Sequence, residues 1–314
     1  MIPSIRIKQI AAHVPDLRES TLVRGSGFGY DSTFLKEKLG TLELAVKEPG
    51  RQTSDLCVAA ARNLEARGVS LDDIGALIVC TQTPDGHGIP HTSAVVHGKL
   101  GLPDSCACFD LSLGCSGYVY GLSVVMAFMQ AHGIRRGLFF TCDPYSEIVD
   151  ADDQATSLLF GDAATVTLLE ANGPGWAMTD ILFGTQGKGG EAIHNRSGKL
   201  HMNGREVFNF ALTQVPRQIR ALLDNRQLTL DEVDLVALHQ GSRYIVEKIR
   251  ERLNLCASKA PVHLKGIGNT VSSAIPLLLE QHLGRRPARI LLSGFGVGLS
   301  YASALLEWQD QTHP

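Results

Sequence analysis

One pattern occurs twice in this chain, about half a length apart, and it constrains the fold more than any single motif. Residues 71–80 read Leu-Asp-Asp-Ile-Gly-Ala-Leu-Ile-Val-Cys and residues 230–239 read Leu-Asp-Glu-Val-Asp-Leu-Val-Ala-Leu-His, an offset of 159 in a chain of 314. Each copy follows a stretch with helical apolar spacing, Thr53 to Arg67 and Val215 to Asn225. Each then runs into a short β-rich segment, Ala76 to Cys80 and Leu235 to Leu238. Further along, Gly114-Cys115 opens a helical run through Met129, and Gly268-Asn269 opens one through His282, an offset of 154. A basic residue and a strand follow each: Arg136 before Gly137 to Thr141, and Arg289 before Ile290 to Ser293. Ala164 to Leu169 and Tyr301 to Leu306 read as closing strands. Such a chain is read as two copies of one unit. The expectation is an α/β protein of two similar halves, residues 1–171 and 172–314.

The run Tyr118 to Met129 is apolar on every face, as in a helix buried between layers. Gly117 and Gly121 each cost about 1 kcal/mol relative to Ala inside a helix, so close packing against a neighbour is expected there. Asn269 to His282 is similar, with Pro276 placed to bend it. Two sheets should therefore sandwich a pair of central helices.

Composition excludes several classes. The 29 basic and 32 acidic side chains leave a net charge of −3, which argues against a nucleic-acid binder that neutralises phosphates. Seven cysteines, an odd number scattered along the chain, argue for thiols in a reducing compartment. Met1 to Pro15 lacks a signal-peptide core, and no apolar run approaches the roughly 18 residues of a membrane span. The expectation is a cytoplasmic protein without membrane or nucleic-acid partners.

Cys115 falls at the expected N-terminus of the first buried helix, where free backbone N–H groups and the helix dipole favour an anion, so a lowered thiol pKa is expected. A buried Cys is also an ordinary small hydrophobe. Its place at a sharp strand-to-helix junction, between Gly114 and Ser116-Gly117, favours chemistry. His239 ends the repeat strand where the first copy has Cys80, and Asn269 opens the second buried helix where the first has Cys115. In a duplicated fold these ends converge, bringing a nucleophile, a donor or base and an amide into one pocket.

At these residues the chain resembles the ketoacyl-acyl-carrier-protein synthase III (FabH-like) condensing enzymes of the thiolase superfamily. The resemblance runs through Phe109-Asp110 to Gly117, Phe160-Gly161-Asp162-Ala163-Ala164, Met202-Asn203-Gly204-Arg205-Glu206-Val207-Phe208, His239-Gln240, Gly268-Asn269-Thr270 and Gly294-Phe295-Gly296-Val297-Gly298. It implies a five-layered αβαβα thiolase-like fold, a homodimer and a catalytic triad on Cys115, His239 and Asn269. It also implies decarboxylative Claisen condensation of a Cys-bound acyl group with a malonyl-type thioester, in fatty-acid-like or polyketide-type biosynthesis. Acyl and malonyl thioesters of acyl carrier protein or coenzyme A would be the substrates. The backbone N–H groups of Cys115 and Val297 would form the oxyanion hole, with Phe295 and Phe208 lining the pocket. Ile89 would reach the partner's acyl pocket.

No cofactor or metal is expected. A strand and the chain end follow the Gly294 loop where a dinucleotide fold needs a helix, and Gly184-Thr-Gln-Gly-Lys-Gly-Gly lacks phosphate-loop spacing. His87, His91 and His97, with Cys106 and Cys108, lack zinc spacing. The resemblance fails at the substrate entrance: Leu35 to Gly40 replaces the family's coenzyme A grip, Gln154 stands where an Arg is usual, and Gly241-Ser242 follows His239-Gln240. A non-decarboxylating acyltransferase and a cysteine hydrolase are the alternatives. Basic residues Arg243, Lys248, Arg250 and Arg252 could dock an acidic carrier, or could be ordinary helix charge pairs.

Overall fold

Nine strands form the frame of the computed structural model, which describes residues 4–310. In chain order they are β1 (Ile5–His13), β2 (Ala76–Cys80), β3 (Ala107–Leu111), β4 (Arg136–Cys142), β5 (Ala164–Ala171), β6 (Gly175–Thr185), β7 (Leu235–Leu238), β8 (Arg289–Gly296) and β9 (Ser300–Gln309). Their order in the sheet is β7-β8-β9-β6-β1-β5-β4-β2-β3. β2 runs parallel to β3 and β4, while β5 returns antiparallel to β4 and to β1. Across the middle, β7 runs parallel to β8, and β9 returns antiparallel to β8 and β6. The two sheets expected from the sequence are joined at a seam where β1 meets β6 through Arg6↔Ala177 and Ile7↔Trp176. A short turn after Ala171 lays β6 beside β1, so the hydrogen bonding continues across both.

The same side-chain device closes each side of that seam. Arg136 opposes Glu170 in the β4–β5 register and its Nε lies 2.9 Å from that carboxylate; Arg289 opposes Glu307 in the β8–β9 register, again at 2.9 Å. Each arginine also meets the third residue of the repeated decapeptide, Asp73 on one side and Glu232 on the other. These basic residues before strands thus anchor the strand that closes each side.

Helices fill the layers. α1 (Thr53–Glu65) and α2 (Thr92–Leu100) cover one outer face, where Leu56, Ala60, Leu64 and Val96 pack on Leu77, Val79, Leu138 and Phe140. α3 (Gly117–Ala131) and α6 (Ala274–His282) lie centrally, where Tyr118, Leu122, Val125, Ile275 and Leu278 share a core with Ile78, Phe139, Leu235 and Leu292. α4 (Gly204–Asn225) and α5 (Arg243–Arg252) cover the other face, with Val215, Ile219, Val246 and Ile249 on Val236 and Leu291. An α, β, α, β, α sequence of layers results.

Three details differ from the sequence reading. α4 starts eleven residues before Val215, because Asn203 accepts the Glu206 N–H through its side chain at 3.2 Å and Pro216 is carried inside the helix. The second buried run divides into a turn, Val271–Ser273, and α6. Pro276 consequently falls in the first turn of α6, where its missing N–H has no helical partner to lose and no bend is required. Gly117 and Gly121 do mark close packing. A Cβ on Gly117 would lie 2.5 Å from Cys80 Sγ, and one on Gly121 would penetrate the Phe139 ring. No described helix is long and apolar enough to cross a membrane.

Candidate active site

Cys115 stands on the turn between β3 and α3, with Ser116 as the α3 N-cap. The turn is pinned from both sides by absent side chains. A Cβ on Gly114 would strike the Gln82 amide, and one on Gly294 would lie 2.9 Å from the Cys115 carbonyl oxygen. Gly296, at φ +157°, is held so close that its Cβ would lie 2.7 Å from both Cβ and Sγ of Cys115. The glycines at 294 and 296 therefore let the β8 strand end touch the thiol.

His239 follows β7 directly, its N–H donating to the Ser293 carbonyl at 2.8 Å, and its ring meets Phe295 edge-on with centroids 5.5 Å apart. Asn269 lies on the segment before the Val271–Ser273 turn. Its N–H donates to Leu159 at 2.9 Å and its carbonyl accepts from Gly161 at 3.0 Å, which explains the Phe160-Gly161-Asp162 motif. A Cβ on Gly161 would collide with the Ile267 carbonyl. Buried Asp162 fixes this segment by accepting from the Lys47 N–H, 2.9 Å, and from Ser146. Asn269 Oδ1 accepts the Val271 N–H at 2.9 Å, so the side-chain NH₂ remains to donate elsewhere.

Cys115, His239, Asn269, Phe295 and Phe208 all line one cavity of ≈370 Å³. Cys115 is 4% exposed, His239 2% and Asn269 3%. Gly296 borders this cavity and Val297 follows it, half-buried. Ile89 lies elsewhere: it is 86% exposed on the loop before α2 and touches no wall of this chain's cavity.

Burial dominates the electrostatics. It pushes the Cys115 thiol up to about 12, against hydrogen bonds from the Val297 and Cys115 backbone N–H groups and with the Asp143 carboxylate adding to the rise. The lowered thiol pKa expected at a helix start is therefore reversed: desolvation outweighs the helix N-terminus, and no cation among the described residues offsets it at the sulfur. His239 is driven the other way, down to about 3, by burial, with a hydrogen bond from its ring to the Val271 backbone carbonyl opposing. It is a neutral imidazole at physiological pH, and its Nδ1 meets no partner among the described residues. The cavity thus holds a thiol, a neutral imidazole and an amide, with two backbone N–H groups at the sulfur.

The entrance is less depleted than the sequence implies. Phe34, Lys38 and Leu39 line the cavity together with Arg205, Phe208 and Tyr244. Phe208 stacks on Tyr244 at 5.3 Å, and Lys38 Nζ sits 3.9 Å above the Tyr244 ring. Gln154 is turned to the Tyr30 hydroxyl, 2.7 Å away, and Tyr30 stacks on Phe34. On α5, Arg243, Lys248 and Arg250 pair with Glu247 or Glu251, and Arg252 donates to the Leu212 carbonyl. His97 holds the Pro103 carbonyl at 3.0 Å, and among the described residues no group of three or more His, Cys, Asp or Glu is placed to hold a metal. Sequence reasoning missed Gln82, Asp143 and Tyr145 behind the nucleophile turn. Asp143-Pro144 reads as a turn signal and nothing more.

The layers and the buried cysteine pocket define the class: an acyltransferase of thiolase fold. Solved structures agree. One 3-oxoacyl-(acyl-carrier-protein) synthase III superposes with a TM-score of 0.91 at 31% identity, covering 97% of this chain and 100% of that one. A Thermus thermophilus synthase III gives 0.90 at 29%, covering 97% and 99%. The profile described as 3-oxoacyl-(acyl-carrier-protein) synthase III matches residues 109–187, and the profile of its C-terminal part matches 223–308. A beta-ketoacyl-(acyl-carrier-protein) synthase III of Deinococcus deserti is 33% identical over 97% of this chain and 91% of its own length. The chain belongs to the beta-ketoacyl-acyl-carrier-protein synthase III family of condensing acyltransferases.

Proposed function

We propose that Cys115 accepts the acyl group and that His239 and Asn269 drive decarboxylative condensation with a malonyl-type thioester. The observation that carries this reading is the convergence of a thiol, two backbone N–H groups and two neutral donors on one buried cavity. Cys115 sulfur displaces the donor thiol, which leaves with the thiol proton. The malonyl C–C bond then breaks, CO₂ departs, and the enolate oxygen is held by His239 and the Asn269 NH₂. The carbanion attacks the acyl carbonyl, whose oxygen is held by the N–H groups of Cys115 and Val297. Collapse releases the Cys115 thiolate, which takes a proton from solvent to replace the one that left with the donor thiol. Phe295 and Phe208 keep the reacting carbons out of water. A hydrolase arrangement is less well supported, since Asn269 Oδ1 is committed to the Val271 N–H and does not orient the imidazole.

The homologues' names and a similar structure described as a priming beta-ketosynthase of the R1128 polyketide pathway, 25% identical with a TM-score of 0.87, support fatty-acid or polyketide biosynthesis. Lys38 and Arg205 at the mouth suit the phosphate of a pantetheine arm, which coenzyme A and acyl carrier protein share. The two halves are taken to divide at Ala171, a two-fold homodimer is the assembly, and the cytoplasm, where the seven free thiols stay reduced, is the location. Incubation with one acyl group on coenzyme A and on carrier protein, followed by peptide mass mapping, tests the reading. A thioester adduct on Cys115, absent in Cys115→Ala, is expected. An adduct on another cysteine with Cys115→Ala fully active overturns the assignment.

A further inference from the structure

Asp143 follows β4 and is fully buried, yet it forms no ion pair among the described residues. One carboxylate oxygen accepts the Gln82 N–H at 2.6 Å; the other accepts the Ser272 N–H at 3.2 Å and the Ser272 hydroxyl. Both partners lead to the active cavity. Gln82 holds the Tyr145 hydroxyl at 2.7 Å and fills the space against Gly114, the residue before Cys115. Ser272 belongs to the turn whose first N–H is held by the Asn269 side chain, and it packs under Gly117 at the start of α3. The carboxylate therefore ties together the segment of one half that carries Cys115 and the segment of the other that carries Asn269.

The titratable groups facing Asp143 are all acids that are neutral when protonated. They are Cys80 at the end of β2, Cys115 on the nucleophile turn, and Cys142 and Tyr145 flanking Asp143 itself; its charge makes each harder to ionise. A negative charge beside a sulfur that must lose its proton opposes thiolate formation. We propose that Asp143 is a positioning residue of the condensation site, its carboxylate holding the Cys115 and Asn269 segments in register while its charge adds to the burial that keeps Cys115 a thiol. This rests on the role proposed above for Cys115. Burial pushes Asp143 itself up to about 6, against its Ser272 and Gln82 donors, so the clamp loses its charge in mildly acid solution.

Asp143→Asn keeps the shape and removes the charge. Alkylation of Cys115 by iodoacetamide, followed by intact mass at neutral pH, should then run severalfold faster, because a charge that opposes the thiolate is gone. Malonyl decarboxylation should fall in kcat with KM within about twofold, and a break in the wild-type rate near pH 6 should vanish. An unchanged alkylation profile, or an unchanged kcat, overturns the proposal. Ser272→Ala supplies a second variant should Asp143→Asn not fold. It removes a donor and keeps the charge, so kcat should drop while alkylation is no faster than in the wild type; wild-type kcat there overturns the clamp. The alkylation arm needs no condensing activity, so a wild type that fails to condense would refute the proposed function while still reporting on Asp143.

Discussion

His239 shows how one buried side chain sets both a reaction's pH range and a stability cost. Its folded pKa of about 3 lies below the unfolded value of 6.5, so the unfolded chain binds more protons between those limits. Stability is therefore lost as pH falls through that window, by about 1.4 kcal/mol for each full pH step within it. His239→Gln should flatten this part of the profile, with a smaller drop in Tm between about pH 7 and pH 5 than in the wild type; an equal drop would show that the imidazole titrates normally. In the proposed mechanism His239 and Asn269 act on the developing enolate, so His239→Ala or Asn269→Ala should slow decarboxylation by about 10² to 10³ while Cys115 acylation persists. Decarboxylation of malonyl thioesters at the wild-type rate in both variants would remove them from the mechanism. The repeat made these residues legible, because equivalent strand ends and helix starts must meet in a duplicated fold. Asp143 was not legible: its partners Gln82 and Ser272 are 61 and 129 positions away and belong to different halves.

At the scale of elements, hydrophobic periodicity located the buried helices and strands well, and local chemistry misplaced their ends. Pro216 obscured the first three turns of α4, where Arg205, Val207 and Phe208 reach the cavity, because tertiary packing carries a proline that propensity would exclude. The entrance segment Leu35 to Gly40 held no recognisable grip, yet folding turns Lys38, with the preceding Phe34, toward the cavity. α3 offers the sharpest test of packing. Phe139 on β4 occupies the space where a Gly121 side chain would stand, and Cys80 does the same for Gly117. Gly121→Ala gains helix propensity worth about 1 kcal/mol, but overpacking costs about 1–3 kcal/mol, so the balance should be destabilising. Denaturant melts should show a lower midpoint with an unchanged slope. A stabilised variant would mean that the Phe139 ring rotates aside without cost.

Assembly is decided at the scale of the whole molecule. β3 is one of the two edge strands of the nine, so one row of its N–H and C=O groups lacks a strand partner, and all five of its residues are half-buried in the isolated chain. An apolar stripe runs beside it. Tyr120, Val124 and Phe128 lie four apart on α3, with Phe183 against Tyr120 at 4.7 Å and Phe109 of β3 against Phe128 at 5.1 Å. Val124 is 41% exposed and Phe183 51%, on the flank of an otherwise buried helix. A second copy, related by a two-fold axis that sets β3 antiparallel to its counterpart, would continue the sheet and cover the stripe, as an isologous interface requires. Ile89 then has a reason for its exposure, since its loop precedes α2 beside β3 and can reach across to the other copy. Light scattering at micromolar concentration should give twice the mass of one chain, and Val124→Asp should shift it toward one. Ile89→Ser should leave the mass unchanged while altering which acyl chain lengths are transferred to Cys115. A wild-type monomer would refute the assembly. A dimer in which Ile89→Ser changes no chain-length preference would leave the stripe as the interface and remove Ile89 from the partner's pocket.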